Sequence, residues 1–144
     1  MSLDGAYDPD NVIARIIRGD LPSAKILETD RLLAFMDAFP QSKGHCLVVH
    51  KASRARNLLD AEPEVLDELI LAVQRVSRAV KSALKPAGIV VTQFNGAPAG
   101  QTIYHLHFHI LPRYEGRPVG RHAGGGMADP AELIKTAKAI ASAL

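Results

Sequence analysis

Apolar residues recur at helical spacing in three stretches of the chain. The clearest stretch runs from Pro63 to Leu84, where apolar side chains recur every three or four residues and predict the longest helix. A shorter helix is predicted from Asn11 to Arg18, with Gly19 just after its end. Either Asp10 or Asn11 can cap its first turn. A third, Ala-rich helix is predicted from Pro130 to about Ala143.

Short β-rich runs alternate with these helices. They predict five strands, at residues 25–29, 32–37, 45–50, 89–94 and 102–111, the last of them closed by Pro112. Separate helices around neighbouring short strands predict an α+β fold with a mostly antiparallel five-stranded sheet. We find no repeat and no linker, and therefore expect one domain over residues 1–144. Its core is expected at about 11–113, followed by a tail at 114–144.

Composition narrows the class of protein. The chain has 144 residues, 47% of them hydrophobic, and a net charge of +2, which is too small to indicate nucleic acid or membrane as the main partner. No apolar run approaches the roughly 20 residues that span a bilayer, and the acidic start does not resemble a signal peptide. The only cysteine, Cys46, excludes an intrachain disulfide, and we expect it in the core of a cytoplasmic protein.

Three histidines alternate with apolar residues between Tyr104 and Leu111. Because alternate residues of a strand point to opposite faces, His105, His107 and His109 are expected to share one face. The residues between them, Leu106, Phe108 and Ile110, can then face the core. Three imidazoles on one strand face are costly to bury without partners, so the pattern indicates chemistry.

The residues themselves allow three interpretations of this pattern. Histidines on a plain solvent face are disfavoured, because Ser, Thr or Lys would be expected there at least once. A zinc site is a workable second interpretation, although no carboxylate lies between Glu68 and Glu115 to orient the ligands. The third is nucleophilic catalysis, in which one imidazole attacks phosphorus and a neighbour protonates the leaving group.

The His-Leu-His-Phe-His-Ile-Leu segment resembles the signature of the histidine-triad superfamily. Other segments resemble that family in the same order, and together they cover residues 11–113: 17–25, 33–37, 44–49, 95–96 and 100–102. The resemblance implies a histidine-triad fold that dimerises through the long helix and a sheet edge. It also implies hydrolysis of a nucleotide conjugate.

The resemblance assigns catalytic roles by position. His107, the middle histidine, would be the nucleophile and would carry a covalent nucleotidyl intermediate. The carbonyl of His105 would fix the tautomer of His107, and His109 would contact the phosphate or the leaving group. His45 would be a fourth site histidine, paired with His105. Because His109 stands where the nucleotidyltransferases of the superfamily have Gln, hydrolysis is favoured over transfer.

Substrate-binding roles also come from the resemblance. Asn95, Gln101 and Thr102 would contact the phosphate, and Asp37 would bind the ribose hydroxyls. The base pocket would be lined by three apolar residues, Ile13, Ile17 and Phe35. His50 and His122 match no position of the triad, and we expect both at the surface.

These roles predict a hydrolase that releases AMP from purine nucleotide conjugates such as adenosine phosphoramidates. An alternative is a dinucleoside polyphosphate hydrolase, if a tail bearing Arg113, Arg117 and Arg121 reaches extra phosphates. A third possibility, from another class, is a nucleotide-binding regulatory module with slow turnover. The expected partners are the purine nucleotide and a second copy of the chain.

One departure concerns metal. Many bacterial members of the superfamily hold a structural zinc through a Cys-x-x-Cys pair, a later histidine and the first histidine of the triad. Those ligand positions are occupied here by Asn11, Ala14 and about Ser53. We therefore expect no metal and no cofactor.

Overall fold

A computed structural model of the chain describes residues 3–120 and 126–144. The helices in this part of the chain are α1 (Val12–Arg18), α2 (Pro63–Leu84) and α3 (Pro130–Ala141). The strands are β1 (Lys25–Glu28), β2 (Leu32–Met36), β3 (Cys46–His50), β4 (Gly88–Thr92) and β5 (His107–Arg113). Short 3₁₀ turns occupy Leu58–Asp60 and Ala97–Ala99. The three predicted helices are thereby confirmed.

The ends of α1 follow directly from its sequence. The side chain of Asn11 accepts the backbone N–H of Ala14 at 2.9 Å, which makes Asn11 the N-cap. Gly19 ends the helix in the left-handed region, with φ of 85°. The cap at Asn11 therefore sets the first residue of α1, and Gly19 sets its last turn.

The five strands form one sheet in the order β1-β2-β3-β5-β4, and every neighbouring pair is antiparallel. The predicted α+β class and antiparallel sheet are confirmed. Because β5 lies between β3 and β4, its residues belong to the centre of the sheet, whereas β4 is an edge strand.

The two faces of the sheet bury different residues. On one face, α2 and α3 cover the main core, to which β3 contributes Cys46 and Val48 and β5 contributes Ile110. Cys46 is fully buried, as predicted. On the other face lies a smaller apolar cluster, covered by α1: Ile13, Leu33, Phe35, Leu47 and Val49. No helix of residues 3–120 and 126–144 is long and apolar enough to cross a membrane.

The last strand differs from the prediction at both ends. It begins at His107 rather than at residue 102, and it continues through Pro112 to Arg113. Pairing with β3 stops at Ile110. Beyond that point the Pro112 carbonyl accepts the hydroxyl of Ser42 at 2.6 Å, so the missing N–H of the proline faces no ladder partner.

Candidate active site

His107 and His109 lie on the face of the sheet that carries the smaller apolar cluster. In the antiparallel register of β3 and β5, His107 is opposite Val49 and His109 is opposite Leu47. Cross-strand partners project to the same face. The two histidines are therefore continuous with that cluster, and both are buried.

The protonation of His107 is set by the main chain. Its Nδ1 lies 2.6 Å from the carbonyl oxygen of His105. Since a carbonyl oxygen only accepts, the proton of His107 belongs on Nδ1. In the neutral ring the lone pair is then on Nε2, and a lone pair on an imidazole nitrogen can act as a nucleophile.

His105 lies just before β5. The prediction that it shares a strand face with His107 and His109 is therefore wrong. Its Nε2 donates to the carbonyl oxygen of His50 at 3.2 Å, and its Nδ1 accepts the hydroxyl of Tyr7 at 2.7 Å. Burial lowers the pKa of His105 from 6.5 to about 4, which outweighs the opposite effect of its bond to the His50 carbonyl. His105 is therefore neutral, with its proton on Nε2.

His45 pairs with His109, and the predicted pairing with His105 is wrong. The Nε2 of His45 lies 2.9 Å from the Nδ1 of His109. The register explains the difference, because Cys46 is opposite Ile110. This pairing brings His45 to the end of β5 that carries His109, whereas His105 lies beyond the opposite end, beside the His50 carbonyl.

The direction of this hydrogen bond also follows from the backbone. The Nδ1 of His45 accepts the N–H of Gln41 at 3.1 Å, so the proton of His45 is on Nε2. That proton is donated to the Nδ1 of His109. The proton of neutral His109 must then be on its Nε2. The Asp37 carboxylate lies 3.5 Å from the Nε2 of His45 and stabilises this arrangement.

Asp37, His45 and His109 are the group of potential metal ligands found among the described residues, with ligand atoms within 4.8 Å of one another. A metal-bound imidazole usually donates its second N–H to an acceptor. The second nitrogen of His45 instead accepts the N–H of Gln41, so a metal on Nε2 would require an imidazolate. The donor set therefore favours a directed hydrogen-bond chain over a metal centre.

Sequence reasoning missed two aromatic residues at the site. Phe94 packs edge-on against the ring of His109, with centroids 5.5 Å apart. Tyr7 bonds to His105 from the segment before α1. Neither residue belongs to a motif, and Tyr7 is 98 residues from its partner, so no local pattern indicated either contact.

The loop between β4 and β5 carries the predicted phosphate-binding residues, and two of them hold the loop together. The side-chain oxygen of Asn95 accepts the N–H of Leu58 at 2.9 Å. Gln101 accepts the N–H of Gly96 at 2.9 Å and donates to the carbonyl of Arg56 at 2.7 Å. Contact of Asn95, Gln101 and the exposed Thr102 with phosphate stays a prediction.

A family model described as the HIT domain matches residues 18–116. The chain belongs to the HIT domain family. It is 38% identical over 103 residues to the protein named hit of Bacillus subtilis, covering 72% of this chain and 70% of that protein. An adenosine 5'-monophosphoramidase of Schizosaccharomyces pombe is 37% identical over 102 residues, covering 71% of this chain and 73% of that protein.

Solved structures of the HIT family agree with the fold described above. A crystal structure of a HIT-like protein from Bartonella henselae, described as involved in cell-cycle regulation and holding an unknown ligand, has 46% identity and a TM-score of 0.88. The match covers 96% of this chain and 100% of that chain. The HIT architecture therefore extends over nearly the whole chain, beyond the matched family segment.

The residues at the positions where many bacterial HIT members bind structural zinc make other interactions here. Asn11 caps α1, and the hydroxyl of Ser53 accepts the N–H of Ala55 at 3.1 Å. Neither side chain can act as the thiolate or imidazole that a structural zinc requires. These residues do not fit that metal.

His50 is buried, and its predicted surface position is wrong. Its Nδ1 accepts the backbone N–H groups of Ala52 and Ser53, each at 3.2 Å, and its Nε2 faces the Glu68 carboxylate at 3.4 Å. His50 therefore closes the turn after β3, a role that its position at the strand end did not reveal. His122 lies outside the described residues.

The residues predicted to line the base pocket and the arginines of the predicted tail lie in different parts of the structure. Ile13 and Phe35 belong to the apolar cluster beside the histidines, and Ile17 packs against it half-buried. Arg113 and Arg117 instead line a cleft with Lys43, and the lining of that cleft includes none of the triad histidines. Arg121 lies outside the described residues.

Proposed function

We propose that this HIT protein hydrolyses purine nucleotide conjugates such as adenosine phosphoramidates and releases AMP. The observation that supports it most directly is the 2.6 Å contact between the Nδ1 of His107 and the carbonyl of His105, which puts the proton on Nδ1 and the lone pair on Nε2. The similarity to a relative named as an adenosine 5'-monophosphoramidase supports the choice of substrate.

The chemistry uses two histidines in turn. The Nε2 of His107 attacks the α-phosphorus, the bond from phosphorus to the amine breaks, and the departing nitrogen, hydrogen-bonded by the Nε2–H of His109, takes up a proton from solvent. Water then attacks the nucleotidyl-histidine, the phosphorus–nitrogen bond to His107 breaks and restores its lone pair, and the proton of the attacking water returns to solvent as AMP leaves. Each nitrogen thereby returns to its starting state.

His45 and Asp37 have supporting roles in this proposal. As the Nε2–H of His45 bonds to the Nδ1 of His109, the proton of His109 is directed to the nitrogen used for the leaving group. The Asp37 carboxylate lies 3.5 Å from the Nε2 of His45 and favours the tautomer of His45 that has its proton there, besides its expected contact with ribose. The purine would lie against the cluster that contains Ile13 and Phe35.

The dinucleoside polyphosphate alternative has less support from the described residues. A second nucleotide would require cations close to the triad. Arg113 and Arg117 line the Lys43 cleft instead. We therefore favour a conjugate with a single nucleotide.

We also propose that two copies associate through α2 and the edge strand β4. On α2, Ile70 and Leu71 are 51% and 65% exposed, and on β4 Val91 is 44% exposed. An apolar helix face next to an unpaired strand edge is typical of an interface. Light scattering should give twice the chain mass, with Val91→Lys reducing it and Ile134→Lys on α3 leaving it unchanged. A monomeric wild type would contradict this proposal.

The function is tested by intact-protein mass spectrometry during turnover of an adenosine phosphoramidate. We expect one added adenylyl group in the wild type and in His109→Gln with an activated leaving group, but none in His107→Ala. The absence of both an adduct and AMP release in the wild type would refute the assignment. Tight AMP binding with a turnover near one per hour would instead identify a regulatory module.

A further inference from the structure

The segment that precedes α1 crosses the region beside His105. Leu3 accepts a hydrogen bond from the guanidinium of Arg56 at 3.3 Å, and the guanidinium of Arg54 lies 5.2 Å from the ring centre of Tyr7. Asp8 accepts the side-chain amide of Asn11, the N-cap of α1, at 2.8 Å. Tyr7 is thus held between the start of α1 and the loop after β3.

The hydroxyl of Tyr7 completes the hydrogen bonding of a buried ring. The Nε2–H of His105 is used by the carbonyl of His50, so the Nδ1 of the neutral ring needs a donor. The Tyr7 hydroxyl supplies it at 2.7 Å. Without this hydroxyl, the buried Nδ1 of His105 would lose the donor that Tyr7 supplies. The tautomer of His105 that has its proton on Nδ1 would then become competitive.

The orientation of His105 matters because of its own peptide group. Its carbonyl accepts the Nδ1–H of His107, yet the residue lies before the first residue of β5 and gains no strand pairing. The next residue, Leu106, is held by its N–H bond to the carbonyl of Ala55 at 2.9 Å. The side chain of His105 therefore provides the remaining restraint on this carbonyl.

We propose that Tyr7 is a positioning residue of the active site, which holds His105 and thereby the carbonyl that orients His107 for attack. This role rests on the proposed hydrolase function and deepens it. Tyr7 does not have to touch the substrate. Its loss should therefore lower kcat and leave KM unchanged.

The test compares Tyr7→Phe with Tyr104→Phe. Each variant loses one phenol oxygen, and Tyr104 directly precedes His105 in the chain. The control keeps an aromatic ring under the guanidinium of Arg56, which lies 4.5 Å from the ring centre of Tyr104. For Tyr7→Phe we expect kcat to fall about five- to tenfold, the loss typical of one neutral hydrogen bond. The nitrogen NMR resonances of His105 should at the same time show a changed tautomer population.

The NMR measurement separates this inference from the proposed function. If the wild type does not turn over the phosphoramidate, the imidazole resonances of Tyr7→Phe alone decide: a redistributed proton on His105 supports the role of Tyr7. Unchanged His105 and His107 resonances overturn it. A kcat for Tyr7→Phe equal to that of Tyr104→Phe overturns it as well.

Discussion

The buried neutral ring of His105 predicts a specific acid sensitivity of the fold. Its pKa is lowered from 6.5 to about 4 by burial, so between these values the unfolded chain binds a proton that the folded protein does not. The contribution of His105 to stability is therefore fully present above about pH 6.5 and falls as the pH drops toward 4. At about 1.4 kcal/mol per tenfold change in proton affinity, the full loss is about 3 kcal/mol.

Urea unfolding at fixed protein concentration and salt measures this effect. Between pH 7.5 and pH 5 the wild type should lose about 2 kcal/mol through His105 alone. The variant His105→Gln lacks this titrating group. Its free energy of unfolding should therefore fall by about 2 kcal/mol less than that of the wild type over the same pH range. Tyr104→Phe, a neighbouring change that keeps His105, should follow the wild type. Equal losses in the wild type and His105→Gln would refute the reasoning.

Three further predictions concern other parts of the fold. Burial raises the pKa of Cys46 to about 12, so a disulfide reagent at pH 8 should label it only as fast as the protein unfolds; rapid labelling would contradict this. Asn11→Ala removes the cap of α1 and should cost about 1 kcal/mol in urea unfolding, whereas Asn11→Asp, which keeps an acceptor, should cost less. Gly44 has φ of 92°, and an added methyl would overlap Leu84 and press on Pro112, so Gly44→Ala should destabilise by about 1–3 kcal/mol. Gly116 has φ of 71° but open space around it, so Gly116→Ala should destabilise the fold less than Gly44→Ala when the two variants are compared by thermal melting.

The sequence predicted the parts of the site that depend on neighbouring residues. The cap of α1 and the shared face of His107 and His109 follow from spacings of two or three residues, and both are present. The partner of His45 could not be predicted in this way. It depends on the register between β3 and β5, which the packing of the whole sheet decides.

The same limit explains the other corrections. His50 ends a strand, where a histidine is commonly exposed, yet the turn that follows it folds back onto its ring. Tyr7 contacts His105 across a sequence separation of 98 residues, from the segment before α1. Such contacts depend on tertiary structure, and a pattern read along the chain does not contain them.

The placement of protons by main-chain atoms has a consequence for divergence within the family. The tautomer of His45 is fixed by a peptide N–H and that of His107 by a peptide C=O, and a change of side chain other than to proline leaves both groups in place. Side chains around the leaving group can therefore change without disturbing the tautomers of His45 and of the nucleophile. Substrate preference can drift in evolution while the reaction itself is inherited with the backbone.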